Sequence, residues 1–149
     1  MKIAIASDHG GYELKKAVAR HLAEAGYDFT DFGCDSPDSV DYPAYAETVG
    51  KAVTTGGYDR GLLFCGTGIG MSIAANKVRG VRAACCSDSF SAQFTRMHND
   101  ANVLCLGGRV VGAGLAIQLV DLFLTTPFEK ENERHARRIG QIAAIEARR

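Results

Sequence analysis

The stretch Gly61-Leu62-Leu63-Phe64-Cys65-Gly66-Thr67-Gly68-Ile69-Gly70 decides how this chain folds. Its first half is an unbroken apolar run, and its second half places a glycine at every other position. An apolar run without polar alternation suits a strand covered on both faces of a sheet. The glycines suit a tight passage into a helix whose first amides point at whatever lies in front of them. Gly61–Cys65 therefore reads as a strand, and Gly70–Val78 as the short helix after it.

The same rhythm continues outward in both directions. Upstream, Lys2–Ser7 is a strand of small and β-branched residues. Tyr12–Ala25 is a helix with Leu14, Ala17, Val18, Leu22 and Ala25 on one face, stopped by Gly26. Tyr27–Phe32 reads as a second strand and Gly33–Tyr42 as a polar loop. Pro43 opens a helix that runs to about Thr55, where Gly56-Gly57 ends it. Downstream come a strand at Val81–Ser87, a helix at Ser89–His98, a strand at Ala101–Leu106 and a helix at Gly112–Thr126. Beyond Pro127, Glu131–Arg148 is a polar, Arg-rich terminal helix. Regular strand–helix alternation gives a parallel sheet with helices on both faces. The expectation is one α/β domain over residues 1–149, a three-layer α/β/α sandwich on a five-stranded parallel sheet with an extra C-terminal helix.

Composition narrows the function. Of 149 residues, Lys plus Arg number 17 and Asp plus Glu also 17, so the formal charge is zero. No global field draws the chain to nucleic acid or to an anionic membrane, and any anion must be held by a local cluster. The N-terminal apolar run is too short for a secretory signal and is interrupted by Asp8. No stretch approaches the roughly 20 apolar residues of a membrane span. The five cysteines are odd in number and include no Cys-x-x-Cys pair. They read as reduced thiols of a cytoplasmic protein, with no structural zinc.

In an open parallel sheet, ligands sit beyond the carboxyl ends of the strands, where strand order reverses. The residues expected there are Ser7-Asp8-His9-Gly10-Gly11, Cys65-Gly66-Thr67-Gly68-Ile69-Gly70, Ser87-Asp88-Ser89 and Gly107-Gly108-Arg109. If the first and third strands are neighbours, a carboxylate, an imidazole, a thiol and a glycine turn face one cleft. Cys65 precedes a helix N-terminus, which favours a thiolate able to abstract a proton. Cys85, Cys86 and Cys105 read as inert core thiols. His9 and His98 are the histidines suited to chemistry, whereas His21, mid-helix, reads as solvated. Arg134 and Arg138 lie four apart and share a helix face; with Arg109 they make a candidate anion clamp. The glycine turn followed by Asp88 also fits a dinucleotide site, but the next strand ends too soon after it and no second domain remains for a substrate.

The motifs together carry a resemblance. Asp8-His9-Gly10-Gly11, Asp41-Tyr42-Pro43, Cys65-Gly66-Thr67-Gly68-Ile69-Gly70, Ala74-Ala75-Asn76-Lys77, His98-Asn99-Asp100-Ala101-Asn102-Val103 and Gly108-Arg109-Val110-Val111-Gly112 follow one another as in ribose-5-phosphate isomerases of the B type. The family also holds allose- and galactose-6-phosphate isomerases, and the resemblance spans nearly the whole chain. It implies a Rossmann-like fold, no metal or other cofactor, and a homodimer or dimer of dimers whose active sites are shared between subunits.

It implies an aldose–ketose isomerase that acts on ribose 5-phosphate and ribulose 5-phosphate through an enediolate. Cys65 would be the base, His98 would open the furanose ring, and Thr67 would assist at the reacting carbons. Asp8, Thr67 and Asn99 would contact sugar hydroxyls, and His9, Arg109, Arg134 and Arg138 the phosphate. Tyr42 would line the pocket, and the amides of Gly66, Gly68 and Gly70 would face the enediolate oxygen. One branch of the family carries a glutamate after the last glycine; here that position is Met71, which implies the cysteine branch. Asn132-Glu133-Arg134-His135 departs from the family's Gly-Gly-Arg-His, so another aldose phosphate (allose 6-phosphate, galactose 6-phosphate or a tetrose phosphate) stays open as substrate. A non-catalytic sugar-phosphate or dinucleotide-binding module is the alternative from another class.

Overall fold

A computed structural model describes residues 1–148. Five strands alternate with helices: β1 (Lys2–Ser7), α1 (Tyr12–Glu24), β2 (Asp28–Asp31), α2 (Tyr42–Thr54), β3 (Arg60–Cys65) and α3 (Ile69–Ala75). Then follow β4 (Ala83–Cys85), α4 (Ser89–Asn99), β5 (Val103–Gly107), α5 (Ala113–Thr125) and α6 (Glu133–Glu146). The strands form one parallel sheet in the order β2-β1-β3-β5-β4. Strand order reverses between β1 and β3, so the predicted neighbours do pair, with Ser7 opposite Phe64.

Alternation along the central strands sorts their side chains into two cores. Ile3, Ile5, Leu62, Phe64, Leu104 and Leu106 face α1, α4 and α5. Ala4, Ala6, Leu63, Cys65, Val103 and Cys105 face α2 and α3. The three-layer sandwich expected from sequence is the fold observed. No helix among the described residues is long and apolar enough to cross a membrane.

Three differences from the sequence reading have local causes. The edge strand β4 is only three residues long, because the Val81 and Arg82 amides bond to Val78 O and Asn102 Oδ1 instead. Helix α3 stops at Ala75 because the Asn76 amide turns back onto β4. It donates to Ala83 O at 2.9 Å and accepts the Ala83 N–H at 2.8 Å, like a strand neighbour. His21 is not simply solvated: its Nε2 lies 2.7 Å from Asp121 Oδ1, tying α1 to α5.

Buried charge fixes the loop between β2 and α2. Lys15 of α1 is 1% exposed, and its ammonium donates to Asp31 Oδ1 at 2.7 Å and Cys34 O at 2.8 Å. The helix thereby holds the loop that carries Val40, whose N–H donates to His9 Nδ1. Lys15→Met should lower the unfolding free energy by about 1.5–3 kcal/mol, the range for hydrogen bonds to a charged group. Urea unfolding reads that loss, and faster hydrogen exchange confined to residues 33–41 reads the released loop.

Candidate active site

The ends of β1, β3 and β5 are tied together by main-chain hydrogen bonds. Asp8 N–H donates to Phe64 O, Gly108 N–H to Cys65 O at 2.8 Å and Arg109 N–H to Gly66 O at 3.0 Å. Such contact between loops demands residues without a side chain. A Cβ on Gly108 would stand 2.6 Å from Gly10 O. The strand-end motifs singled out in the sequence thus converge on one cleft.

Cys65 ends β3 with its side chain 5% exposed. The chain then turns through Gly68, whose φ of +80° few residues but glycine adopt. That turn aims the Gly68 N–H at Cys65 Sγ, 3.0 Å away, a geometry that stabilises a sulfur anion. The Ile69 N–H goes to Thr67 Oγ1. Not every amide of the turn is therefore free to meet a substrate, as the sequence suggested. Among the described residues, those of Gly66, Thr67 and Gly70 have no protein acceptor.

The other residues of this cleft follow from the same framework. Asp8, 7% exposed, accepts the Gly11 N–H at 3.1 Å through Oδ1, and among the described residues its Oδ2 has no hydrogen-bond partner. His9 accepts Val40 N–H at Nδ1, which leaves Nε2 as the outward ring nitrogen. The exposed Arg109 guanidinium lies along Gly66. The ring of Tyr42 rests on Gly70, where a Cβ would meet Tyr42 Cζ at 2.9 Å.

His98, Asn99, Arg134 and Arg138 are elsewhere. Helix α4 starts at Ser89, beyond the carboxyl end of β4, and ends at Asn99, just before β5 begins. It therefore runs back along the sheet. His98 and Asn99 lie at the amino edge of the strands, and Cys65 lies at the carboxyl edge. Arg134 and Arg138 are exposed on α6 near His98. Asp88 caps α4 by accepting the Ser91 N–H at 2.7 Å, a role that accounts for its position without a dinucleotide.

The end of α4 is held by groups that sequence reasoning missed. Asp100 adopts φ +45° and takes Arg96 Nη1 at 2.7 Å and Arg82 Nη2 at 3.0 Å. Arg96 is 2% exposed. An Asp after a helical His-Asn pair, with arginines before it, was the available signal. His98 itself meets Phe94 edge-to-face, centroids 4.9 Å apart, and stacks on His135, 4.3 Å away. His135 is 3% exposed, and its Nε2 stands 3.4 Å from Glu129 Oε2. His98, Glu129 and His135 bring possible ligand atoms within 4.8 Å of one another. The imidazole planes are only 21° from parallel, so their in-plane lone pairs do not converge on one ion.

Three of the other thiols are shifted. Burial pushes Cys105 well above its ordinary value, and burial with Cys85 and Asp88 nearby pushes Cys86 up to about 11. Cys85 is exposed rather than part of the core, and its Sγ contacts Thr67 O at 3.6 Å. Burial raises it too.

The sequence pattern of the Ribose/Galactose Isomerase family matches residues 3–142. The chain belongs to this family. It is 52% identical to a Clostridium thermocellum ribose-5-phosphate isomerase B of known structure, with 99% of each chain covered and a TM-score of 0.96. Ribose-5-phosphate isomerase B of Escherichia coli is 49% identical over 99% of this chain and 98% of its own. A Pectobacterium atrosepticum D-erythrulose-4-phosphate isomerase is 42% identical over 87% of this chain and 86% of its own. This ribose/galactose isomerase is an aldose–ketose isomerase by family, and its strand-end cleft brings the loops of Asp8, Cys65 and Arg109 together.

Burial, with His98 and Arg134 beside it, holds the His135 imidazole below its ordinary value of 6.5. In the unfolded chain the ring binds its proton near 6.5, and in the folded chain only at lower pH. The unfolded state therefore gains protons first, and stability falls as pH drops below about 6.5. Urea midpoints measured down through that window should fall, and His135→Gln should reduce the slope.

Proposed function

We propose that this chain interconverts ribose 5-phosphate and ribulose 5-phosphate in the cytoplasm, in active sites assembled from two copies of the chain. The observation that carries the chemistry is Cys65 Sγ, at the end of β3, receiving the Gly68 N–H at 3.0 Å. Full-length likeness to proteins named ribose-5-phosphate isomerase B supports the substrate.

Isomerisation moves one proton between C1 and C2. In the open-chain aldose, the Cys65 thiolate takes the proton on C2. The C–H electron pair becomes the C1–C2 double bond, and the C1 carbonyl oxygen becomes an enediolate oxygen. The free amides of Thr67 and Gly70 are suited to that oxygen, at about 3 kcal/mol per well-placed donor. The thiol returns the proton at C1, and the hydroxyl on C2 gives up its own to become the ketone. Thr67 Oγ1 stands beside the turn to relay protons between the two oxygens. Asp8 and Asn99 are assigned to sugar hydroxyls. Tyr42 walls the pocket, while His9, Arg109, Arg134 and Arg138 hold the phosphate, a remote anchor that aligns the reacting carbons.

Ribose 5-phosphate is mainly a closed furanose, so a group must first open the ring. His98 is assigned that step, since an imidazole can both give and take a proton near neutral pH. Its position at the opposite edge of the sheet supports a homodimer: a second copy would present His98, Asn99 and the α6 arginines to the Cys65 cleft. Exposed apolar residues support such a contact, among them Ile69 and Ile73 of α3 and Phe90 of α4, each more than half exposed.

The Pectobacterium relative favours one further reading, a tetrose phosphate as substrate. A tetrose 4-phosphate has no free hydroxyl at C4 and cannot close a furanose, so it needs no ring opening. Turnover of ribose 5-phosphate beside erythrose 4-phosphate separates the two.

Cys65→Ala should abolish both turnover and the entry of solvent deuterium at C1 of ribulose 5-phosphate. Retained exchange would remove Cys65 as base. His98→Asn should lower conversion of ribose 5-phosphate by about 100-fold, the scale of general acid–base catalysis. It should leave deuterium exchange into ribulose 5-phosphate largely intact, because the ketose is already open. Equal losses in both assays would argue against ring opening.

A further inference from the structure

The groups around His98 that take no part in the chemistry above form a support built for it. His135 lies face to face with His98, ring centroids 4.3 Å apart and planes 21° from parallel. His98 also makes an edge-to-face contact with Phe94, which is itself stacked on Phe90 at 4.0 Å. His135 is 3% exposed, although it sits on an otherwise exposed helix, and its backbone N–H closes onto Asn132 O. Its Nε2 lies 3.4 Å from Glu129 Oε2. Glu129 in turn donates its backbone N–H to Met97 O, the residue before His98. A closed circuit thus runs from α4 through the α5–α6 connection into α6 and back onto the ring of His98.

We propose that His135, held by Glu129, is a positioning residue for His98: its buried face fixes the plane of the His98 imidazole so that one ring nitrogen meets the sugar's ring oxygen. The inference rests on the ring-opening role assigned to His98 above. An imidazole at a helix end has two soft torsions, and a general acid works only when its nitrogen is in line with the proton it transfers. A stacked aromatic face restricts both torsions without using either nitrogen. Glu129 performs the same service for His135. The charged and titratable groups around His135 are Glu129, Arg134, Arg138 and His98 itself.

The test uses the full-length enzyme and three variants, His135→Ala, His135→Phe and Glu129→Gln, beside His98→Asn. Each is assayed for conversion of ribose 5-phosphate and for solvent deuterium entering C1 of ribulose 5-phosphate, which needs no ring opening. His135→Ala is expected to lower kcat for conversion by about ten-fold, a misplacement effect. KM and the exchange rate should change less than about two-fold, because anchor and base are untouched. His135→Phe keeps a flat face at the same place and should recover most of the lost kcat. Glu129→Gln should fall between wild type and His135→Ala. Thermal unfolding checks that each variant is folded.

Full conversion by His135→Ala would overturn the inference. So would parallel loss of conversion and exchange, which would make His135 part of substrate binding or of the fold alone. Failure of His135→Phe to recover kcat would overturn positioning through the ring face. If His98→Asn itself converts ribose 5-phosphate at the wild-type rate, the assignment of His98 fails and this inference fails with it. If His98→Asn loses conversion and His135→Ala does not, only the inference fails.

Discussion

The main-chain hydrogen bonds that bind the ends of β1 and β5 to the end of β3 are the constraint on which the site depends. They hold Asp8, Cys65 and Arg109 at fixed separations, because backbone in contact with backbone has no side chain to yield. Glycines at positions 10, 11, 107 and 108 make that approach sterically feasible, since a Cβ at each would collide with neighbouring backbone. Gly68 then supplies the one left-handed step that brings an amide onto the Cys65 sulfur. A thiol at the end of a strand is an ordinary core feature. The same thiol beneath a donated N–H, with a carboxylate and a guanidinium on neighbouring loops, has the surroundings that the proposed proton transfer calls for.

The path of α4 sets the second constraint. A helix that follows one parallel strand and precedes another must run antiparallel to both, so its last residues arrive at the amino edge of the sheet. His98 and Asn99 are there, and no rearrangement of one chain brings them to Cys65 without breaking the fold. Under the proposed assignment a second copy would complete each cleft, and association would be a condition of activity rather than an addition to it.

Buried polar side chains at three places serve precision. Lys15 anchors the loop beside His9, Arg96 with Asp100 ends α4 after Asn99, and His135 with Glu129 braces the His98 ring. Each costs desolvation, and each is offset by hydrogen bonds or charge partners at short range. All three act on residues next to the assigned chemistry, so rigidity is concentrated where orientation matters.

The sequence by itself determined the element order, the parallel sheet and which strand-end loops meet in the cleft. Unbroken apolar strands and 3.6-residue helical faces depend on local periodicity, and glycine spacing records where backbone must come close. The likeness of the motifs to an isomerase family was legible for the same reason, since chemistry ties residue types to strand ends. Tertiary structure alone decided the rest. It set β4 to three residues, because Asn76 and Asn102 take up hydrogen bonds along that edge. It exposed Cys85 and buried Lys15, Arg96 and His135, since burial depends on what packs above a residue and not on the residue. It also separated Cys65 from His98 by the length of the sheet. Motif order along a chain carries no distances, and only the direction of a folded helix says at which edge its last residues lie.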